Sequence, residues 1–190
     1  CWLKNNPEVC HGGNHWLENL ISLIIGSLQF EGLESNLIYE YSIKELKKEL
    51  SNQILSDGGH EERSSSYHLL ILDRLVELGC VLQAIRNERP IWLIDSIRLM
   101  SLWVKKVSIF NKRLPQFNDC FLDIFEELDE IIYFSNSYLD SVNYLKHGFR
   151  ANLLNQYKKV ETSKKFYENR VFLKSIEDLA STGWTCIRPN

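Results

Sequence analysis

The sequence predicts an all-α chain of antiparallel helical hairpins, and three observations carry that expectation. Apolar residues recur at spacings of three and four in four or five segments, the connections between those segments are short, and no strand-like alternation interrupts them before the last residues. Helices joined by short loops pack side by side and antiparallel.

The first helix starts near Asn14, after Gly12 and Gly13, with Leu17, Leu20, Ile21, Ile24, Ile25 and Leu28 on one face. GLESN at 32–36 breaks the pattern, and Ile43, Leu46, Leu50 and Ile54 form a narrow stripe on a second helix whose other face, KELKKEL, is solvated. In the loop 56–65, Asp57 can bond its own backbone while Gly58 and Gly59 supply a turn. Ser64, Ser65 and Ser66 then offer an N-cap to a third helix, Tyr67 to Ile85, inside which Gly79 counts against continuity. NERP at 87–90 ends it and makes Pro90 the first residue of a fourth helix, IWLIDSIRLMSLWVKKV. A fifth runs from Cys120 to about Tyr133. Residues 135–172 form a weakly periodic connection, SIEDLASTGW a short helix ended by Gly183, and Trp184 to Arg188 alternate like an opening strand. Strand backbone groups need partners, so a β domain is expected beyond Asn190. The expected organisation is therefore 1–134 helical, 135–172 connecting, and 173–190 a short helix and a first strand.

Composition narrows the function. With 44% hydrophobic residues, 12% of the chain aromatic, and a net charge of −3 with interspersed signs, the 190 residues suit one folded domain and give no field for nucleic acid. The basic patch KKVETSKK is short enough to be a solvated surface. The longest apolar run, Leu20 to Leu28, is interrupted by Ser22, Gly26 and Ser27 and cannot cross a bilayer. The chain opens on Cys1 with no signal-like segment, which reads as a fragment and leaves its compartment unassigned. Its five cysteines form no CxxC pair, and neither a disulfide framework nor a zinc ribbon is indicated.

Counting helical traverses predicts where the polar residues gather. If the first helix starts at one end of the array, the second returns the chain to that end, and the fourth returns it again. Asn14, His15, His60, Glu62, Arg63, Tyr67 and Asn118 then share one rim, to which Arg113 and Asp119 also belong. The other end holds only GLESN and RNERP.

GNHWLENL, then QILSDGGHEERSSSYHLLILDRL after a helical hairpin, and later PQFND, resemble the heparinase II/III-like polysaccharide lyases in order and spacing. The final STGWTCIRPN resembles that family's entry into its β-sandwich. The resemblance implies the C-terminal part of an incomplete (α/α) toroid, followed by the first strand of a missing β-sandwich, with the substrate cleft between them. It implies an acidic polysaccharide substrate, β-elimination, and a periplasmic or cell-envelope setting. It also implies that Asn14 and His15 bind the substrate carboxylate and stand on the base side, and that Tyr67 is the catalytic tyrosine. Members read SPMYH where this chain has SSSYH, which spares the tyrosine. A further histidine and, in some relatives, a structural zinc belong to the β domain; no cofactor is expected in this segment, and the segment alone is expected to be close to inactive.

The chemistry explains the residue types. Removing the proton α to an ionised uronate carboxylate builds negative charge beside negative charge, so the site needs donors aimed at the developing enolate. Asn14 and His15 are such donors, and a tyrosine can move a proton if positive neighbours lower its pKa, with Arg63 the nearest. Arg63, Trp16, His60, Glu62 and Asn118 are the expected substrate contacts, Trp16 as a stacking face for a pyranose. Plainer roles stand beside these: Asn14 as an N-cap, Tyr67 as an amphipathic rim residue, Glu61, Glu62 and Glu18 as partners of Arg63 or of a helix N-terminus, Trp92, Trp103 and Phe110 as core. His11 and His15 have the spacing of a metal pair, but Gly12 and Gly13 take residue 11 off the helix, and no metal site is expected. The rival to an enzyme is a non-catalytic glycan-binding or scaffolding helical array.

Overall fold

Each apolar stripe becomes one buried helix face. The computed structural model describes residues 2–8, 12–108, 114–121, 128–140, 150, 153 and 176–187. After a single turn, α1 (Trp2–Asn5), come α2 (Gly13–Ser27), α3 (Leu33–Gln53), α4 (Ser65–Arg86), α5 (Ile91–Val107) and α6 (Leu128–Asp140). α2 packs on α3 and α4, and α4 packs on α5 and α6. Leu17, Leu20, Ile21 and Ile24 of α2 meet Leu46 and Leu50 of α3, Leu69, Leu72, Leu75 and Val76 of α4, and Ile97, Met100 and Val104 of α5 in one cluster. Each such side chain contributes about 1.5–3 kcal/mol of burial. Lys44, Lys47 and Lys48 on the outer face of α3 are exposed, as its charge pattern requires.

Among the described residues no helix is long and apolar enough to cross a membrane. Phe110, Arg113, His11, the KKVETSKK patch and the connection beyond Asp140, apart from residues 150 and 153, lie outside the described residues.

Capping chemistry sets the helix that carries most of the site. Ser64 is the N-cap of α4, its Oγ accepting the Tyr67 N–H at 3.3 Å. Asp57 Oδ1 accepts the Gly59 N–H at 3.0 Å, the local turn expected of that residue pair. Pro90 stands at the N-cap of α5, one residue earlier than its expected place inside the helix. Gly79 does not interrupt α4: the buried Tyr138 ring of α6 lies over it, and a Cβ there would stand 2.5 Å from Tyr138 Cζ. Alanine in a helix interior gains about 1 kcal/mol over glycine. Forcing it under a buried ring costs about 1–3 kcal/mol. Gly79→Ala should therefore lower the thermal unfolding midpoint, and a raised midpoint would show that Tyr138 gives way.

Two expectations are corrected. The fifth helix does not end near Tyr133; α6 continues to Asp140, because Phe134 and Tyr138 extend its buried face. SIEDLASTGW is not a short helix: Ile176–Leu179 forms strand β1, antiparallel to β2 (Trp184–Ile187), with Leu179 opposite Trp184. Each strand satisfies the other's facing backbone groups, so β2 finds a partner inside the chain on one edge. The turn between them is docked on the α3–α4 loop. The Thr182 N–H and Oγ1 donate to Asp57 at 2.6 and 2.7 Å, and Trp103 Nε1 donates to Thr182 Oγ1 at 3.1 Å. Burial pushes the Asp57 carboxyl up, but the bonds from Thr182 and Gly59 outweigh it and hold the carboxyl below its ordinary value.

Candidate functional site

The traverse count holds: the start of α2, the α3–α4 loop and the segment 114–121 meet at one end. The Asn14 backbone N–H donates to Glu62 Oε1 at 2.7 Å, across 48 positions of sequence. A carboxylate is favoured there because the first helical N–H groups lack partners and the dipole is positive. Gly13 makes room for it, with φ +49° and no Cβ to collide with the Glu62 carboxylate. Glu62, expected on the substrate, is thus engaged with the helix terminus, one of the plainer roles open to it. The N-cap of α2 is Gly12, which has no side chain to bond the first turn, so Asn14 lies inside the helix, buried, and is not the cap.

Asn118 likewise turns out to be a clip between loops. At φ +56° it directs Nδ2 to the carbonyl oxygens of Glu62 and Arg63, at 3.0 and 3.2 Å. Ser64 Oγ donates to the Asp119 carbonyl at 3.1 Å, Ser65 Oγ to that of Pro115 at 2.7 Å, and the Phe121 N–H to Ser66 Oγ at 3.1 Å. The serine run therefore does more than cap α4; it sews the segment 115–121 onto the first turn.

That stitching sets Asp119 Oδ2 2.7 Å from the Tyr67 hydroxyl, which donates to it. The Tyr67 pKa is raised, first by this hydrogen bond, then by desolvation and by the charges of Asp119, Glu62 and Cys120. The expectation that Arg63 lowers it is overturned. The Arg63 guanidinium turns to the hairpin, where a Cβ on Gly183 would stand 3.7 Å from Nη1, and it is not among the groups that shift Tyr67.

His15 is exposed, its Nδ1 3.3 Å from Glu8 Oε2. Asn19 holds that carboxylate, donating from Nδ2 at 3.3 Å and accepting the Glu8 N–H on Oδ1 at 3.1 Å.

Two expected substrate contacts face inward. His60 is 1% exposed, its Nε2 3.2 Å from Gln53 Oε1 and its Nδ1 accepting the Glu62 N–H at 3.4 Å; burial pushes it down to about 4, so it is neutral and structural. Trp16 is 7% exposed and belongs to the core cluster, so it offers no stacking face at the rim. The available aromatic surface is elsewhere. A cleft of about 510 Å³ runs between the end of α5 and the hairpin, lined by Val107, Pro115, Phe117, Gly183, Trp184 and Ile187 among others. Phe117 is 53% exposed and meets the half-buried Trp184 edge-on at 5.0 Å. Among the described residues, no group of three or more His, Cys, Asp or Glu side chains is placed to hold a metal.

Sequence reasoning gave Asp119 no chemical role and did not single out Glu8. PQFND and the traverse count brought Asp119 to the rim without a role; Glu8 precedes the helical pattern and gave no signal. Residues 2–146 match the family described as the heparinase II/III N-terminus. No curated protein matches the chain, and no solved structure does.

Proposed function

We propose that this chain, which belongs to the heparinase II/III family, supplies the helical side of a site that cleaves an acidic, uronate-containing polysaccharide by β-elimination. In this reading Asn14 meets the uronate carboxylate, His15 stands on the base side, and Tyr67 transfers a proton. A charge-stabilising donor of this kind is worth most where water is excluded. The cleft walled by Phe117 and Trp184 offers apolar faces to pyranose rings, in place of Trp16.

The single observation that supports an anionic substrate best is Arg63. Its backbone stands at φ +54°, a conformation that disfavours a side chain by about 1–2 kcal/mol. Its exposed guanidinium lies against the Gly183 turn that lines the cleft, and no carboxylate among the described residues pairs with it. A strained residue presenting an uncompensated cation beside a cleft fits the recognition of a carboxylate. Arg63→Gly should leave stability nearly unchanged, since relief of about 1–2 kcal/mol of strain is offset by about 0.5–1 kcal/mol of added chain entropy. The same change should raise KM by roughly ten- to a hundredfold, the worth of one hydrogen bond to a charged group. An unchanged KM would remove Arg63 from the site.

The reaction itself is tested by ultraviolet absorbance of the unsaturated product when the full-length protein meets a panel of uronate polymers. Binding of a polymer without any such product would favour the non-catalytic glycan-binding array.

A further inference from the structure

We propose that Asp57 and Thr182 are positioning residues for Arg63: the bonds between them fix the 181–183 turn against which the guanidinium lies, so the grip on an anionic substrate depends on a latch outside the cleft. The inference rests on the reading given above, in which Arg63 meets a substrate carboxylate.

The latch is built into the fold. Thr182 is fully buried, and Asp57 holds it twice: one carboxylate oxygen accepts the Thr182 N–H at 2.6 Å and the other its hydroxyl at 2.7 Å, across 125 positions of sequence. The second oxygen also accepts the Gly59 N–H, and the Thr182 hydroxyl oxygen in turn accepts from Trp103 Nε1. Beside them Ser56 and Ser181 bring their hydroxyl oxygens to 2.6 Å, and a Cβ on Gly59 would collide with Thr182 Oγ1. No charged group is among those that shift the Asp57 carboxyl, so hydrogen bonds and not an ion pair hold the turn.

The same loop reaches the turn a second time. From Asp57 it runs to Arg63 under backbone bonds that leave little slack: the Leu55 N–H to the Gly59 carbonyl at 2.9 Å, the Glu61 N–H to that of Gln53 at 2.9 Å, and the Arg63 N–H to that of His60 at 3.0 Å. Arg63 leaves its left-handed backbone position with the guanidinium over Gly183, the residue after Thr182. Gly183 is itself left-handed at φ +80° and closes the turn by donating its N–H to the Leu179 carbonyl at 2.8 Å. Trp184, next in the chain, is a wall of the cleft. One turn thus carries the surface under the cation and leads into the aromatic face beside it, and Asp57 sets where that turn sits. A long side chain that is already supported loses less freedom when it binds, so a displaced turn weakens the grip without removing any group from it.

Asp57→Asn tests this because its two effects on KM have opposite signs. An amide has one acceptor oxygen for donors that meet both carboxylate oxygens, so its NH₂ faces the N–H of Thr182 or of Gly59 and the latch loosens. Loss of a negative charge near the cleft, by itself, favours an anionic polymer and lowers KM. In the full-length protein, read by absorbance of the unsaturated product, Asp57→Asn should raise KM roughly three- to tenfold and leave kcat nearly unchanged, an interaction of the size found between residues that act together. In an Arg63→Gly background the same change should move KM less than about twofold, since no guanidinium is left to position. Thr182→Val, which keeps the N–H and removes the hydroxyl, should act in the same direction, and Thr182→Ser should recover most of the loss; this pair takes over if Asp57→Asn does not fold. An unchanged or lowered KM in Asp57→Asn overturns the inference. So does a rise of equal size with and without Arg63, the result expected of a merely structural residue.

The latch is also read without substrate, from ¹⁵N relaxation of the Arg63 Nε–H in the full-length protein, the signal being identified by its loss in Arg63→Gly. It should report a more mobile side chain in Asp57→Asn. Turnover of uronate polymers with unaltered Nε relaxation sinks the latch and leaves the proposed function standing. A loosened Arg63 in a protein that turns over no uronate polymer sinks the proposed function, and the use assigned to the latch with it.

Discussion

Tyr67→Phe should lower kcat of the full-length protein by about 10²- to 10⁴-fold while leaving KM nearly unchanged, because proton transfer acts in the transition state and adds little to ground-state binding. The structure makes the substitution a clean one. The ring stays in place against Phe121, with centroids 6.1 Å apart, and the backbone N–H that Ser64 caps is untouched. What is lost is the hydroxyl and its bond to Asp119, which at a solvent-facing position is worth no more than about 0.5–1.5 kcal/mol of stability. Steady-state rates of unsaturated-product formation, set beside thermal unfolding of the same variant, separate the two effects. Elimination at close to the parental rate would return Tyr67 to the rim-residue role that its half-exposed position also permits.

Asn14→Ala is the second large effect expected, at about 2–4 kcal/mol in kcat/KM, the loss typical of one donor aimed at a developing oxyanion. The structure sharpens what stability should do. An N-cap asparagine replaced by alanine costs about 1 kcal/mol of helix stability. Asn14 is not the cap: Gly12 is, and the free N–H at residue 14 is bound by Glu62 through the backbone, which alanine retains. Asn14→Ala should therefore keep the parental unfolding midpoint within the small change expected from trimming a short buried side chain, while activity falls. Loss of midpoint with activity preserved would assign Asn14 to packing and place the carboxylate site elsewhere.

The site was legible where chemistry follows local order. The run of serines before an apolar helix announces the cap at Ser64, and counting traverses from short loops brings Asn14, Glu62, Tyr67 and Asn118 to one rim. The roles of those residues were less legible. Glu62 and Asn118 hold the loops together, and His60 and Trp16 point into the protein, because each has a polar or apolar partner that only the folded chain supplies. For Tyr67 the sequence neighbour Arg63 predicts a lowered pKa, and the folded chain raises it instead. Arg63 is four positions away along the chain, yet its strained backbone turns the guanidinium to the hairpin, and Asp119, 52 positions distant, takes the place beside the hydroxyl.

By itself the sequence determined the helices and which face of each is buried, since a period of three to four residues is a local property that survives any arrangement of the elements. It also determined the breaks at Gly58 and Gly59, at Pro90 and at the capping serines, which act on the backbone within a few residues, but not the continuity of α4 through Gly79, where the Tyr138 ring packs over the glycine. Only the tertiary structure decided that Ile176–Leu179 is a strand, for a four-residue segment takes its conformation from the partner that satisfies its backbone, here Trp184–Ile187. And only the tertiary structure decided the electrostatics of the site. A charge acts through a distance of a few ångströms in space, and the 2.7 Å between Tyr67 and Asp119 is set by serine hydroxyls bonding backbone some fifty residues away, a contact for which the sequence carries no periodic signal.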